Sequence, residues 1–173
     1  MVKRRRVKFQ LDKRIWEICK LTAKWLTEEK KTGLLFYGPP GNGKTTIAKA
    51  IQKLVNSLNY SEYESERCEL IMVSALELEK IVINEPEKFE RFKKCPMLCI
   101  DDLGMESPSI KSYGNEIEPI PEIIYHRYDK QLLTIATSNL TDEDLAKRYG
   151  ERIADRFREM FDRIPFNHKS YRK

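Results

Sequence analysis

The stretch GPPGNGKT, residues 38–45, constrains the fold of this chain more than any other part of its sequence. It follows the apolar run GLLFY and precedes the segment KTTIAKAIQKLVNSL, in which Ile47, Ile51, Leu54 and Leu58 recur at helical spacing. These segments predict a short buried strand, a glycine-rich turn and an amphipathic helix, in that order. In this context the spacing G-x-x-x-x-G-K-T predicts a phosphate-binding loop, and a glycine turn that binds no ligand is the alternative.

Each residue type in this loop suits the binding of phosphate. Gly38, Gly41 and Gly43 can adopt backbone angles that other residues resist, so the N–H groups of the loop can turn towards phosphate oxygens. The helix that begins near Lys44 adds the positive end of its dipole. Lys44 supplies charge to the β- and γ-phosphates, and the Thr45 hydroxyl is a ligand for Mg²⁺. The residues predicted to contact a nucleoside triphosphate are Gly38, Pro39, Pro40, Gly41, Asn42, Gly43, Lys44, Thr45 and Thr46.

Apolar runs alternate with helical patterns along the rest of the chain. Strands are predicted at 33–38, 70–73, 97–102 and 132–139, and the segment DRIPF is a candidate last strand. Helices are predicted at 12–30, 44–58, 74–83, 118–130, 141–150 and 151–161. This alternation predicts an α/β fold in which a parallel sheet is covered by helices on both faces. The segment SPSIKSYGNE is predicted to be a loop.

Polar residues follow two of the predicted strands where each strand ends. The run LCIDD ends in Asp101 and Asp102, and the run ATSN ends in Asn139. Ligands of open α/β folds bind beyond the carboxyl edge of the sheet. We therefore expect Asp101 to hold Mg²⁺ through water, Asp102 to polarise an attacking water, and Asn139 to orient that water or contact the γ-phosphate. Helix-capping and turn roles are the alternatives for these residues.

The segment ERIADRF carries Arg152 and Arg156 four residues apart, on one face of a predicted helix. An arginine that reaches the γ-phosphate stabilises charge in the transition state and contributes about 10³–10⁵ in rate in other NTPases. Arg156 is preferred to Arg152 for this role, and a pair of ordinary surface arginines is the alternative. We expect such an arginine finger to reach the nucleotide of a neighbouring subunit, which predicts a homo-oligomer.

The charge of the chain is concentrated at its N-terminal end. The net charge is +5, and residues 1–32 hold eleven Lys and Arg against four Asp and Glu, whereas the remaining residues hold 21 against 23. A basic arm of this kind can attract nucleic acid or an acidic partner. A solvated arm without a partner is the alternative.

Hydropathy and cysteine spacing argue against a membrane or zinc protein. No apolar run approaches the ~18 residues of a membrane-spanning helix, and no apolar stretch follows the basic N-terminus as in a secretory signal. The four cysteines, Cys19, Cys68, Cys95 and Cys99, do not form a zinc-binding pattern. We therefore expect reduced thiols in a cytoplasmic protein that does not bind membranes.

Four pieces in this order, GPPGNGKT, LCIDD, ATSN and ERIADRF, resemble AAA+ ATPases. The segments IDDLG, HRYDKQLLTIATSNL and YGERIADRFREMF are similar to the bacterial DnaC/DnaI helicase loaders and to their sister branch, the IstB-type transposition helpers. The resemblance covers about residues 33–172. It implies a P-loop NTPase core at 33–173 without a helical lid domain, preceded by a basic arm and amphipathic helix at 1–32.

The resemblance implies an ATP-hydrolysing switch that uses Mg²⁺, assembles around single-stranded DNA and acts on a replicative helicase or a transposase. The residues that match the functional positions of the family are Lys44, Thr45, Asp101, Asp102, Asn139 and Arg156. In loaders the segment after the acidic strand end contributes to DNA contact, which implies Lys111, Ser112 and Tyr113. A lysine near a tyrosine suits phosphate attraction and base stacking. An ordinary solvated loop is the alternative.

Two other functions are compatible with the phosphate-binding loop. A nucleotide kinase has a similar loop, but the paired carboxylates and Asn139 favour water as the phosphate acceptor. An adaptor that binds ATP without hydrolysing it is the other possibility, because many AAA+ proteins have Glu where this chain has Asp102. The shorter side chain is expected to slow hydrolysis.

Overall fold

The structure is a computed structural model, and it describes residues 12–28, 31–58, 68–112, 115–167 and 170. The basic arm that precedes residue 12 and the predicted DNA contact Tyr113 lie outside the described residues. The strands are β1 (Gly33–Tyr37), β2 (Leu70–Ser74), β3 (Met97–Leu103), β4 (Ile110–Ser112), β5 (Asn115–Ile117), β6 (Leu133–Ser138) and β7 (Phe161–Pro165). The helices are α1 (Lys13–Thr27), α2 (Lys44–Leu58), α3 (Ala75–Asn84), α4 (Pro86–Lys94), α5 (Pro119–Asp129), α6 (Asp142–Tyr149) and α7 (Glu151–Met160).

Five strands form one sheet in the order β2-β3-β6-β1-β7, and every pair of neighbours in it is parallel. Strands β4 and β5 form a separate antiparallel pair. The predicted α/β fold with a parallel sheet is therefore confirmed. Because the strands are parallel, their carboxyl ends lie along one edge of the sheet, and the loops after β1, β3 and β6 meet there.

The apolar strand residues alternate between two cores. In β1, Leu34 and Phe36 pack against α1 and α2, whereas Leu35 packs on the opposite face with α3, α5 and α7. Successive side chains of a strand point to opposite faces, so a continuous apolar run covers both. Helices on both faces are therefore required by the sequence of β1 itself.

The structure differs from the sequence-based predictions in several elements. The loop predicted over 107–116 contains most of the β4–β5 pair, whose three-residue strands are too short for a clear pattern in a segment rich in Ser, Pro and Gly. Helix α4 was not predicted, because only Phe89 and Phe92 of its nine residues are buried and its N-cap, Glu85, makes no side-chain capping bond. The first predicted helix also ends earlier, at Thr27.

The described part of the chain contains no helix that is long and apolar enough to cross a membrane. All four cysteines are free thiols. Burial raises the pKa of the Cys95 and Cys99 thiols, and the nearby Asp101 carboxylate raises that of Cys99 further. These two thiols therefore stay protonated near neutral pH.

A fully buried arginine stabilises the sheet at the edge opposite the phosphate-binding loop. The Arg127 guanidinium of α5 donates to the carbonyl oxygens of Cys95 (2.7 Å) and Leu133 (2.6 Å), and to the hydroxyl of Thr134 (2.8 Å). Burial lowers the pKa of this arginine. These bonds join α5 to the residues that begin β3 and β6, so they fix the helix against the two central strands.

Replacing Arg127 by Met should destabilise the fold. The methionine keeps an apolar stem but removes the donors from two interior carbonyls, and each acceptor that loses its partner costs about 1–3 kcal/mol. We expect the free energy of unfolding, measured by urea denaturation, to fall by about 2–4 kcal/mol. The control Arg14→Met, on the exposed face of α1, should change it by less than about 0.5 kcal/mol. Equal effects of the two substitutions would contradict the role given to Arg127.

Candidate nucleotide-binding site

The register of the sheet brings the predicted site residues together. Tyr37, the last residue of β1, pairs with Ser138 of β6, and Leu103 of β3 pairs with the same serine. The phosphate-binding loop follows Tyr37, the two aspartates precede Leu103, and Asn139 follows Ser138. Three segments that are far apart in sequence therefore meet at one point of the carboxyl edge.

The loop has the backbone that its glycines predict. Gly38, Gly41 and Gly43 have φ values of 135°, 84° and 99°, in the region that favours glycine. A Cβ on Gly38 would lie 2.6 Å from the carbonyl oxygen of Phe166, whereas a Cβ on Gly43 would have no atom within 4 Å. The same carbonyl accepts a hydrogen bond from the side-chain amide of Asn42, which is fully buried. Residue 166 therefore helps to shape the loop.

The Lys44 ammonium lies where the three segments meet. Its Nζ donates to the carbonyl oxygens of Gly38 (2.7 Å) and Pro39 (2.8 Å), and to the side-chain oxygens of Asn42 (3.2 Å) and Asn139 (2.8 Å). Lys44 is only 5% exposed. A buried ammonium needs oxygen partners of this kind, and it gives the loop a positive charge beside the amide of Asn139. Lys44 and Asn139, both predicted from sequence, are therefore in direct contact.

Thr45 and Asp101 face each other across the edge of the sheet. The Thr45 hydroxyl donates to Oδ1 of Asp101 at 2.9 Å, and the Thr137 hydroxyl donates to the same oxygen at 2.6 Å. Asp101 is buried. A hydroxyl and a carboxylate are the hard oxygen ligands that Mg²⁺ prefers, and Mg²⁺ in phosphate sites uses one or two such groups together with the phosphates. These two residues fit the predicted metal.

Asp102 projects from a distorted part of β3. Its φ of 53° is left-handed, which is uncommon for a residue other than glycine, and the residue is exposed. Its backbone N–H donates to the Thr137 hydroxyl at 2.9 Å, and its carbonyl accepts from Met105 N at 3.2 Å. Asp102 thus lies at an irregular position within β3 and is exposed, whereas the neighbouring Asp101 is buried.

The loop after Asp102 is fastened to α6 by a buried carboxylate. Glu106, 2% exposed, accepts from the backbone N–H of Gly104 at 2.9 Å and from the hydroxyl of Tyr149. Burial raises the pKa of Tyr149, and the Glu106 charge raises it further. The phenol therefore stays a donor near neutral pH. Through these two hydrogen bonds, Glu106 fixes the segment that follows Asp102 against α6.

The two arginines of α7 differ in their surroundings. Arg152 is exposed, whereas the Arg156 guanidinium lies over the rings of Tyr125 and Tyr128 of α5, 5.6 and 5.1 Å from their centroids. Cation–π contacts of this kind hold a guanidinium in place. Neither arginine contacts the loop of its own chain through any of the hydrogen bonds found among the described residues. The arginine-finger role of Arg156 stays a prediction.

The predicted DNA contacts lie on the β4–β5 pair. Lys111 of β4 is exposed and stands opposite Glu116 of β5 in the antiparallel register. Ser112 pairs with Asn115, and Tyr113 follows outside the described residues. Of the three predicted contacts, Lys111 is thus the one whose side chain the structure places at the surface.

Sequence reasoning missed Thr137 and Phe166. Thr137 lies within an apolar strand and resembles a core residue in the sequence. Its hydroxyl, two positions before Asn139, could nevertheless have indicated a polar contact near the site. Phe166 acts through its backbone carbonyl, so its side chain carries no signal for this role.

Comparison with known proteins identifies the family. Residues 34–153 match the ATPase family associated with various cellular activities (AAA), which is most of the chain. The chain belongs to the AAA family. This AAA domain is also 32% identical over 116 residues to the peroxisomal ATPase PEX6 of Saccharomyces cerevisiae and 36% identical over 86 residues to PEX6 of Arabidopsis thaliana. The matches cover 67% and 50% of this chain but only 10% and 9% of those proteins.

Solved structures with a similar fold include a helicase loader and a replication initiator. DnaI aligns with a TM-score of 0.68 and 24% identity, covering 91% of this AAA domain and 87% of that chain. The DnaC helicase loader gives 0.67 and 24%, with 91% and 93% covered. The replication initiator DnaA bound to AMPPCP and single-stranded DNA gives 0.64 and 18%, with 90% and 48% covered. At these identities the likeness shows a shared fold.

Two of the three loop glycines of this AAA domain, Gly38 and Gly43, should differ in their contribution to stability. Alanine at either position pays about 1–2 kcal/mol for a left-handed backbone. In Gly38→Ala the new methyl also meets the Phe166 carbonyl, which Asn42 needs as its acceptor. We therefore expect thermal unfolding, followed by circular dichroism, to occur at a lower temperature in Gly38→Ala than in Gly43→Ala. The reverse order would show that Phe166 does not shape the loop.

Proposed function

We propose that this AAA domain binds ATP with Mg²⁺ and hydrolyses it by an attack of water on the γ-phosphate. The observation that carries the proposal is the convergence at Lys44: the loop carbonyls and the Asn139 amide surround its ammonium, while the adjacent Thr45 contacts Asp101. A charged group, the proposed metal ligands and a polar group for orienting water thus lie together where the first turn of α2 meets the carboxyl ends of β3 and β6. A glycine turn without a ligand has no need for this set.

Each group has a defined part in the proposed reaction. The loop N–H groups and Lys44 bind the β- and γ-phosphates, and Thr45 and Asp101 would hold the metal. Mg²⁺, when bound, neutralises charge on the phosphate oxygens. Asn139 orients a water molecule and Asp102 accepts its proton as the water oxygen bonds to the γ-phosphorus. The bond from that phosphorus to the bridging oxygen breaks, which releases ADP and inorganic phosphate.

The surroundings of Asp102 favour water over a second substrate as the acceptor. The residue is exposed at the edge of the sheet, its backbone is fixed by Thr137 and Met105, and Glu106 fastens the loop that follows. A proton acceptor must be held in hydrogen-bond reach of its proton donor. A fixed backbone beneath a solvent-accessible carboxylate meets this condition for water.

We further propose that the protein is a loader or IstB-type switch that acts on single-stranded DNA and on a replication or transposition partner protein in the cytoplasm. The fold shared with the DnaC helicase loader and with DnaA supports this, as does exposed Lys111 on β4. In this proposal residues 33–173 form the ATPase core, and the arm and helix at 1–32 add positive charge for DNA or the partner. A direct role of Lys111, Ser112 and Tyr113 in DNA contact belongs to the same proposal.

Arg156 is proposed to act on the nucleotide of a neighbouring subunit in a homo-oligomer. It lies on α7, beside a tyrosine pair of α5 that holds the guanidinium at the surface, one-third exposed. The cation–π contacts leave the charge of the guanidinium intact, so it remains able to stabilise the γ-phosphate of an adjacent molecule. Arg152, one turn earlier and exposed, is the alternative finger.

The ATPase proposal is tested by separating binding from hydrolysis. Lys44→Ala should weaken ATP binding about 10–100-fold, since a hydrogen bond to a charged group contributes about 1.5–3 kcal/mol. Asp102→Asn should keep ATP binding and lower turnover by about 10²–10⁴-fold, the usual contribution of a positioned general base. Binding is measured with a fluorescent ATP analogue, and turnover by phosphate release with and without single-stranded DNA.

Matched controls exist for both variants. Lys49→Ala removes an exposed lysine from the same helix as Lys44, and Asp129→Asn removes an exposed carboxylate at the end of α5. Neither should change binding or turnover. Unchanged turnover in Asp102→Asn would favour the ATP-binding adaptor, and phosphate transfer to a nucleoside without phosphate release would favour a kinase.

The arginine finger is tested by mixing two inactive proteins. Arg156→Ala should bind ATP normally but lose turnover by about 10³-fold or more. A protein with Lys44→Ala has an inactive nucleotide site but an intact finger. Mixing the two should restore part of the turnover, because the intact finger then faces an intact site in mixed oligomers. If Arg156→Ala alone keeps full turnover and Arg152→Ala does not, the finger is Arg152.

A further inference from the structure

The pairing of β3 with β6 is interrupted where the two aspartates lie. Ile100 pairs with Ala136, and the next pair found is Leu103 with Ser138. Two residues of β3, Asp101 and Asp102, therefore stand opposite Thr137 alone. A bulge of this kind adds a residue to one strand and redirects a side chain, and here Asp102 takes its left-handed backbone.

Hydroxyl groups of β6 take over the hydrogen bonding at this bulge. The Thr137 Oγ1 accepts from the Asp102 N–H at 2.9 Å and donates to Oδ1 of Asp101 at 2.6 Å. The next residue, Ser138, donates through Oγ to the Leu103 carbonyl at 2.7 Å. Thr137 and Ser138 are both fully buried. Hydroxyls inside a strand thus bridge the bulge on both sides of Asp102.

The direction of each Thr137 bond follows from the chemistry of its partners. A backbone N–H can only donate, so at Asp102 the hydroxyl oxygen is the acceptor. The single hydroxyl hydrogen is therefore available for Asp101, whose carboxylate only accepts. One side chain fixes the backbone that carries Asp102 and, together with the Thr45 hydroxyl, the rotation of the Asp101 carboxylate.

We propose that Thr137 is a positioning residue that sets the two acidic side chains of the site, Asp101 for Mg²⁺ and Asp102 for water. The inference rests on the proposed function. Valine has nearly the shape of threonine but can neither donate nor accept, so Thr137→Val removes both bonds. Serine keeps the hydroxyl, so Thr137→Ser retains both. If Thr137 had only a structural role, the effect of a substitution would depend on the methyl group and on burial. ATP affinity would then change alike in Mg²⁺ and in EDTA.

The test compares ATP affinity in Mg²⁺ and in EDTA, by titration calorimetry, for the wild type and three variants. In Thr137→Val the gain in affinity from Mg²⁺ should fall about 10–100-fold, the usual effect of removing a residue that orients a metal ligand. Affinity in EDTA should be unchanged, because the loop and Lys44 are not altered. Thr137→Ser should keep most of the Mg²⁺ gain. Turnover should follow the same order, with a larger change in kcat than in KM.

The control is Thr134→Val, on the same strand. Thr134 is also fully buried and also bridges two partners through its hydroxyl, Arg127 and the carbonyl of Leu132, but it lies at the other end of β6. The Thr134→Val variant should have a lower free energy of unfolding in urea denaturation, and its gain in ATP affinity from Mg²⁺ should be unchanged. If Thr137→Val does not fold, Thr137→Ala takes its place, since it removes the same hydroxyl without placing a second methyl beside Asp101.

The outcomes are distinct. Loss of the Mg²⁺ gain in Thr137→Val, with retention in Thr137→Ser and Thr134→Val, supports the inference. An unchanged Mg²⁺ gain in Thr137→Val, an equal loss in Thr137→Ser, or an equal loss in Thr134→Val overturns it while the proposed ATPase function stands. A wild-type protein without Mg²⁺-dependent ATP affinity would overturn the proposed function itself, together with the inference.

Discussion

The parallel pairing of β1, β6 and β3 is the constraint on which the candidate site depends. It places the carboxyl ends of three strands side by side, so the loop after β1, the aspartates of β3 and the asparagine after β6 share one edge. At the opposite end of these strands, Arg127 uses a buried guanidinium to hold α5 to the start of β3 and β6. Register at one end therefore determines which polar groups meet at the other.

Charge organises the site once the strands are in place. The Lys44 ammonium is nearly excluded from solvent and needs oxygen partners, and these come from the loop and from Asn139, which follows β6. Thr45, the next residue, contacts Asp101 of a third strand. Two consecutive residues of α2 thus contact both neighbouring segments, and the positive end of the helix faces the same region. The contacts that join these three segments are made by the residues proposed to bind the triphosphate and its metal.

The sequence predicts secondary structure best where burial leaves a clear hydrophobic pattern. The run before the loop is apolar throughout because it faces a core on each side, and the helix after it has a regular stripe, so both elements could be located. Helix α4 and the β4–β5 pair could not be located, since a nine-residue helix with two buried residues and strands of three residues leave little periodicity.

The grouping of residues at the candidate site could be predicted more completely than the secondary structure. Lys44 contacts Asn139, and Thr45 contacts Asp101, as expected of residues that share a site. Thr137 was missed because a buried hydroxyl in a strand resembles core, and the Phe166 carbonyl because backbone groups carry no residue identity.

The central claim is that the loop from Gly38 to Thr45 is where the phosphates bind. Hydrogen–deuterium exchange of the backbone amides, measured with and without ATP and Mg²⁺, tests it most directly. Loop N–H groups that donate to phosphate oxygens should exchange more slowly when nucleotide is present, together with the first turn of α2, while the amides of β4 and β5 keep their rates. Protection that falls elsewhere in the domain, or no protection at saturating nucleotide, would contradict the account.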